Sequence, residues 1–249
     1  MAVNKFFQLI NRAVVVLLLG SVGSAQAAIS LSSTRVIFDA KAQEASLVVR
    51  NGDDKKNVLI QSWIESNTPD DKGELPFAMT PPVSKMAPQG QQLIRILYAG
   101  GKNTMPSDKE SVMWVNVQEI PETVAGENTL QLAVRQRIKL FFRPEGLSGK
   151  ADTAPSELRW KINGEVLEIH NPSVYHVSTS SIDIGDDGVF SQIAKGQMIA
   201  PGGNLQITLK KNIKNSVVEF TSINDFGGSE KYQVQLKNDT ASQAVRMVN

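Results

Sequence analysis

Apolar and polar residues alternate along most of the chain from residue 29 onward, in short runs separated by turn residues. Runs rich in Val, Ile, Leu, Phe and Trp recur at intervals of about ten residues, which is the spacing of a β-sandwich. The first set of predicted strands is Ile29–Phe38, Ala45–Asn51, Val58–Glu65, Phe77–Thr80, Gln92–Tyr98, Val112–Ile120 and a long run that ends at Arg143. This is the strand number of an immunoglobulin-like sandwich. No window of comparable length has a 3.6-residue apolar repeat, so we expect little helix.

The longest alternating run covers residues 129–143, where Leu130, Leu132 and Val134 fall on one face. The opposite face carries the basic residues Arg135, Arg137, Lys139 and Arg143. At about 3.3 Å per residue such a strand would span roughly 50 Å, far more than the usual strand of about 5 to 6 residues. Alternation alone fits a strand whose apolar face is buried as well as an exposed edge that binds another chain.

A segment of small, polar and helix-breaking residues at 148–155 predicts a linker between two domains. We therefore expect an N-terminal domain over residues 28–147 and a second β-sandwich domain over residues 156–249. The strands predicted for the second domain are Arg159–Ile162, Val166–Asn171, Val177–Ile184, Asn204–Leu209, Val217–Ile223 and Tyr232–Leu236. The fold class that follows is all-β, with two immunoglobulin-like sandwiches.

The first residues of the chain have the pattern of a secretory signal peptide. Lys5 and Arg12 precede the apolar run Ala13–Leu19, and small residues follow up to Ala25-Gln26-Ala27. This order predicts cleavage after Ala27 and residues 1–27 as the signal. The apolar run is about half of the roughly 20 residues that cross a bilayer, which argues against a membrane anchor.

Composition excludes several classes of function. The chain has 26 basic and 25 acidic residues, so its charge gives no reason to expect a nucleic acid or an anionic membrane as partner. It has no cysteine, which excludes disulfides, thiolate metal sites and cysteine nucleophiles. The two histidines, His170 and His176, fit no standard zinc spacing and are interpreted as ordinary strand or loop residues. With no nucleophile elbow or Walker-type loop, we predict no enzyme, no cofactor, no metal and no nucleotide.

Several segments resemble a known family. They are Thr34–Asp39, Pro81-Pro82-Val83 followed by Pro88 and Arg95, Gln118–Pro121, Ile138–Pro144 and Ile223–Gly228. In this order they resemble the periplasmic pilus chaperones of the PapD-like family. The resemblance implies two immunoglobulin-like domains with a cleft between them. It also implies a chaperone that binds, folds and caps pilus or fimbrial subunits by donor-strand complementation, and delivers them to an outer-membrane usher without ATP.

The resemblance also implies roles for individual residues. It assigns Arg35 and Lys139 to the C-terminal carboxylate of a subunit, Leu130, Leu132 and Val134 to the donor strand, and Glu119, Arg143 and Asp225 to a charged network between the domains. The short segment 122–127 is similar to the short-loop branch of the family, which is associated with rod-like pili. The lack of cysteine departs from relatives that have a disulfide. Self-association of the free protein through its edge strand stays open.

Two alternatives belong to other classes of protein. A secreted immunoglobulin-like adhesion or carbohydrate-binding module would need an exposed aromatic platform, and three Trp and three Tyr are spread thinly along the chain. A pilin subunit would have one incomplete domain, whereas the strand pattern indicates two complete ones.

Overall fold

The computed structural model describes residues 29–68, 75–100, 105–120, 132–186, 189–210, 216–236 and 242–247. The strands of the N-terminal half are β1 Ile29–Leu31, β2 Arg35–Asp39, β3 Glu44–Asn51, β4 Val58–Ser66, β5 Phe77–Thr80, β6 Val83–Met86, β7 Gln91–Tyr98, β8 Ser111–Ile120 and β9 Arg135–Arg143. The C-terminal half contains α1 Ala154–Glu157, β10 Arg159–Asn163, β11 Val166–His170, β12 Val177–Asp186, β13 Val189–Ile199, β14 Asn204–Thr208, β15 Val217–Ile223, β16 Ser229–Gln235, β17 Ser242–Gln243 and β18 Val245–Arg246. The predicted all-β fold with two sandwich domains is confirmed.

The N-terminal domain packs a sheet in the order β1-β3-β7-β5 against a sheet in the order β2-β9-β8-β4-β6. The single strand predicted for residues 29–38 is wrong, because Ser32 to Thr34 divide it and carry the chain from one sheet to the other. Ser32 Oγ accepts a hydrogen bond of 3.1 Å from the backbone N of Val48 at this crossing. After it, β2 pairs in parallel with β9 and brings Arg35 opposite Lys139.

The alternation along β9 determines which side chains enter the core. Leu140 and Phe142 are buried, and Phe142 packs against Phe38 at a ring-centroid distance of 5.8 Å. Phe77 and Tyr98 complete the aromatic cluster between the two sheets. Residues at odd positions of β9 consequently face away from this core, as expected for a period of two.

The C-terminal domain packs the sheet β14-β11-β10-β17 against the sheet β13-β12-β15-β16-β18. Its core is centred on Phe220, whose ring lies 5.0 Å from that of Trp160 and 5.1 Å from that of Tyr232. The sequence did not predict strand β13, which lies at the edge of the sheet and has no regular alternation of buried apolar with exposed polar residues. It also missed β6, which follows directly after Pro81-Pro82.

The long strand predicted for residues 129–143 is shorter in the structure. Strand β9 begins at Arg135, and Leu132 and Val134 precede it outside any strand. Leu130, the segment 122–127 and the predicted signal peptide lie outside the described residues. Within the predicted linker, Ala154 and Pro155 begin helix α1 and are buried, while the domain boundaries themselves stay predictions.

Candidate functional site

The outward face of β9 carries a row of side chains that begins at Arg135 and ends at Arg143. Strand β8 pairs with β9 from Arg135 to Phe142, whereas β2 pairs only with its last part, from Lys139 to Arg143, so Lys139 has a neighbour on both sides. Lys139 lies between Arg35 on β2 and Trp114 on β8. Neighbouring strands are about 4.8 Å apart, so this register holds two cations side by side at the boundary of the two domains.

Arg35 is fixed by both domains. Its Nη1 donates a hydrogen bond of 2.9 Å to the carbonyl oxygen of Ile223, and its guanidinium carbon lies 5.6 Å from the ring centroid of Phe141. Its Nε is buried and has no hydrogen-bond partner in the part of the chain that the structure describes. Burial lowers the pKa of Arg35, and the carboxylates of Asp225 and Glu110 oppose that shift from a distance.

The ammonium group of Lys139 lies near an aromatic ring. Its Nζ lies 5.8 Å from the ring centroid of Trp114. Burial, and then the positive charge of Arg35, lower the pKa of Lys139. Among the described residues, neither Lys139 nor Arg35 takes part in an ion pair. We call Arg35 and Lys139 the cation pair, and its uncompensated charge favours the binding of an anion.

A second set of charged side chains joins the domains. Arg143 donates to both carboxylate oxygens of Asp225 at 2.6 and 2.7 Å, and its Nε donates to Glu110 Oε1 at 2.8 Å. Glu110 Oε2 accepts the backbone N–H of His176 at 2.8 Å and lies 2.9 Å from the ring Nδ1 of the same residue. We call these four residues the interdomain network. Burial alone would lower the pKa of Arg143, but the hydrogen bonds and charges of Asp225 and Glu110 outweigh burial and raise it.

The prediction that Glu119 belongs to this network is wrong. Strand β8 is ten residues long, with Glu110 just before its first residue and Glu119 near its last. Ends of such a strand are about 30 Å apart. Glu119 instead donates its backbone N–H to the carbonyl of Val134 at 2.9 Å. Burial, and then the charge of Asp53, raise the pKa of its side chain.

Antiparallel pairing explains why Glu110 takes this place. Ser111 lies opposite Phe142, so the residue before β8 reaches the end of β9 at which Arg143 lies. His176 was interpreted as ordinary from the sequence, yet it is part of the interdomain network. His170 fits that interpretation better, since its Nδ1 lies 2.9 Å from Asn204 Oδ1 on the neighbouring strand.

Residues 223–228, which we call the cleft turn, attach the second domain to the first. Asn224 Oδ1 accepts the backbone N–H groups of Phe226 at 3.1 Å and Gly228 at 2.8 Å. Gly227 has a φ of +82°, and a Cβ at this position would lie 2.5 Å from Thr34 Oγ1. The turn thus contacts the residue directly before Arg35, with no space for a side chain at position 227.

We expect Gly227→Ala to lower the stability of the interdomain contact, because alanine is disfavoured at this φ by about 1 to 2 kcal/mol and also collides with Thr34. Gly146→Ala is the matched control, since Gly146 has a φ of +81° and a Cβ there would have no other atom within 4 Å. Thermal unfolding should show a larger fall for Gly227→Ala than for Gly146→Ala. Adding Thr34→Ala should recover part of the difference, and equal falls for both glycines would contradict the proposed close contact.

The cleft between the domains contains a cavity of about 260 Å³. Residues of both domains line it, including Arg35, Phe141, Arg143, His176 and Phe226. Phe141 is an apolar residue on the otherwise basic face of β9, and its burial beneath the second domain explains this exception.

Two predicted donor residues are exposed just ahead of β9. Leu132 is 71% exposed and Val134 is 45% exposed. Both precede the cation pair on the same chain segment, so an extended partner that ends at Arg35 and Lys139 could run along them. Exposed apolar side chains beside a sheet edge are typical of a surface that binds another strand.

The aromatic platform expected of a carbohydrate-binding module is not free on this face. Trp63 and Trp114 lie on adjacent strands β4 and β8. The guanidinium of Arg137 lies 4.2 Å from the ring centroid of Trp114, and that of Arg135 lies 6.0 Å from that of Trp63. The rings therefore contact cations of the same molecule.

Neither a membrane helix nor a metal cluster is found within the described ranges. No helix there is long and apolar enough to cross a bilayer. No group of three or more His, Cys, Asp or Glu side chains there could hold a metal ion.

Fold and cleft together define a class: a protein of two immunoglobulin-like sandwiches, with the cation pair at their boundary and exposed apolar residues ahead of β9. The chain belongs to the PapD family of pilus-assembly chaperones. Residues 28–148 match the N-terminal domain described for pili and flagellar-assembly chaperones, and residues 153–234 match the C-terminal domain of the pili assembly chaperone PapD. Proteins of this family act as chaperones and in general not as enzymes.

Individual relatives agree with this assignment. The chain is 41% identical over 203 residues to the probable fimbrial chaperone LpfB of Escherichia coli O157:H7, covering 80% of this chain and 84% of the relative. The crystal structure of the Pseudomonas aeruginosa CupB2 chaperone matches with a TM-score of 0.72 and 33% identity, covering 83% of this chain and all of the other. The Salmonella enterica SafB chaperone, solved in complex with the SafA pilin, matches with a TM-score of 0.70 and 25% identity, over 90% of this chain and 99% of the other.

Proposed function

We propose that this protein binds, folds and caps fimbrial subunits by donor-strand complementation and delivers them to an outer-membrane usher. The observation that carries the proposal is the cation pair, in which Arg35 and Lys139 lie side by side without a carboxylate partner among the described residues. The C-terminal carboxylate of a subunit would supply the missing anion. Charge-assisted hydrogen bonds of this kind contribute about 1.5 to 3 kcal/mol each.

The segment ahead of β9 would then provide the donated strand. With the carboxylate bound at the cation pair, the last residues of the subunit would extend along the N-terminal domain toward Leu132 and Val134. Leu130 would continue this series as a third alternating residue. Burial of each Leu or Val side chain in the subunit stabilises the complex by about 1.5 to 3 kcal/mol, and their spacing of two fixes the register.

The proposed place of action is the periplasm. The fimbrial chaperones that this chain resembles are periplasmic proteins, and residues 1–27 have the pattern of a signal peptide. We propose cleavage after Ala27. The proposed function uses no ATP, metal or other cofactor and includes no catalytic step, since binding and release of strands supply the free energy.

The donor segment can be tested with two single variants, Leu132→Asp and Val134→Asp. Each is co-expressed with a fimbrial subunit from the same organism. We expect the amount of soluble subunit recovered from the periplasm to fall at least about tenfold, because a carboxylate would replace an apolar contact in the complex. The thermal midpoint of the free chaperone should not change, since both side chains are exposed.

Val189→Asp is the matched control for this experiment. Val189 is 72% exposed, like Leu132, but it lies on β13 in the second domain. The control should recover the subunit at the wild-type level. If all three aspartate variants recover the subunit at the wild-type level, residues 132 and 134 do not contribute to subunit binding.

A further inference from the structure

The cleft turn presents one aromatic side chain to solvent. Phe226 is 96% exposed, although the residues on either side of it are fixed. Asp225 is bound by Arg143 of the first domain, and Gly227 packs against Thr34. The backbone N–H of Phe226 itself is bound by Asn224 Oδ1 at 3.1 Å. The position of the ring is thus determined by the turn, while its surface contacts almost nothing in the chain.

Phe226 belongs to the residues around the cavity that also includes Arg35. Phe141, which is buried, also lines this cavity. Large aromatic side chains at fixed positions supply much of the binding energy of protein interfaces. A polypeptide whose terminal carboxylate reached Arg35 would place the side chain of its last residue beside this same cavity.

We infer that Phe226 contacts the side chain of the subunit's C-terminal residue and selects for a large apolar residue at that position. The inference rests on the proposed function and deepens it. Charge complementarity determines the occupant, because the cation pair accepts a carboxylate and a chain terminus carries one together with a side chain. Three of the four acidic residues around the cavity are paired within the chain, since Arg143 binds Glu110 and Asp225 and Arg246 binds Glu230.

The test uses the full-length chaperone and three forms of one fimbrial subunit from the same organism, ending in Ala, Leu or Phe. Complexes are purified after co-expression, and release is measured as transfer of the subunit to an excess of labelled wild-type chaperone. The wild-type protein should hold the Leu and Phe forms about tenfold longer than the Ala form, the ratio expected for one buried side chain. Phe226→Ala should hold all three forms for similar times, and Phe226→Tyr should restore the preference.

Phe190→Ala is the control for loss of an exposed phenylalanine elsewhere. Val177 lies at one end of β12 and lines the cavity, whereas Phe190 pairs with Gly185 near the other end of that strand. Phe190 is therefore far from the cavity. This variant should keep the wild-type preference. A preference that persists in Phe226→Ala overturns the inference and leaves the proposed function intact. A wild-type protein that captures none of the three forms overturns both.

Discussion

Lys139→Ala should abolish the recovery of fimbrial subunits while leaving the free chaperone folded. Loss of one charge-assisted hydrogen bond to a carboxylate costs about 1.5 to 3 kcal/mol, which weakens binding roughly 10- to 150-fold. Arg35→Ala should have a similar effect, because the register of β2 and β9 places both cations at one anion. The measurement is the amount of soluble subunit in the periplasm on co-expression with each variant.

The stability of the free protein separates this explanation from a structural one. Lys139 has no ion-pair partner in the described chain, so its removal deletes an uncompensated charge and should leave the thermal midpoint unchanged or higher. A lysine that stabilised the fold would give the opposite result. Lys161→Ala is the control, because Lys161 is exposed on β10 in the second domain. If both cation-pair variants recover wild-type amounts of subunit, the carboxylate site is refuted.

The pH dependence of the free energy of unfolding provides an independent test of the buried, unpaired state of Lys139. Burial lowers the pKa of Lys139, so the native state loses its proton at a lower pH than the unfolded state, whose value is about 10.4. Between those two pKa values the unfolded state binds more protons, and the free energy of unfolding therefore rises with pH. Lys139→Ala should remove this alkaline rise, and a bound subunit carboxylate should reduce it.

The alternation of apolar and polar residues predicted strands well where one face of the strand is buried and the other is exposed. The alternation of β9 identified its core side, and Leu140 and Phe142 are buried as that pattern requires. The same rule missed β13, which lies at a sheet edge and has little apolar burial to reveal it. It also joined β1 to β2, although the buried positions change from odd at Ile29 to even at Val36 and Phe38 across the polar residues Ser32 to Thr34.

Contacts between strands are where sequence pattern alone was insufficient. Glu119 and Glu110 are both acidic residues near strand β8, and only the pairing of β8 with β9 shows which of them lies beside Arg143. The role of His176 likewise depends on a contact with the other domain. One signal was present, since Phe141 interrupts a basic face, and an apolar residue at such a position indicates a surface covered by another domain.

Arg143→Met should lower the free energy of unfolding by about 3 to 5 kcal/mol, because it leaves the carboxylate of Glu110 buried with one of its partners removed. The Glu110 side chain is only 1% exposed, so water cannot replace the lost guanidinium. Asp225→Asn should cost less, since the Asp225 side chain is 36% exposed. Denaturant unfolding of each variant measures these differences, and a single transition that divides into two would show that the domains have lost their coupling.

Glu119→Gln decides between the two assignments of the network. If Glu110 is the buried acid that Arg143 requires, Glu119→Gln should lower the free energy of unfolding by no more than about 0.5 kcal/mol, because burial already disfavours the charge of Glu119. Glu110→Gln should instead approach the effect of Arg143→Met, and the double variant should cost less than the sum because both remove the same contact. A large effect at Glu119 with none at Glu110 would reverse the assignment. The double-variant cycle thus tests whether Arg143 couples the domains through the residue before β8 or through its far end.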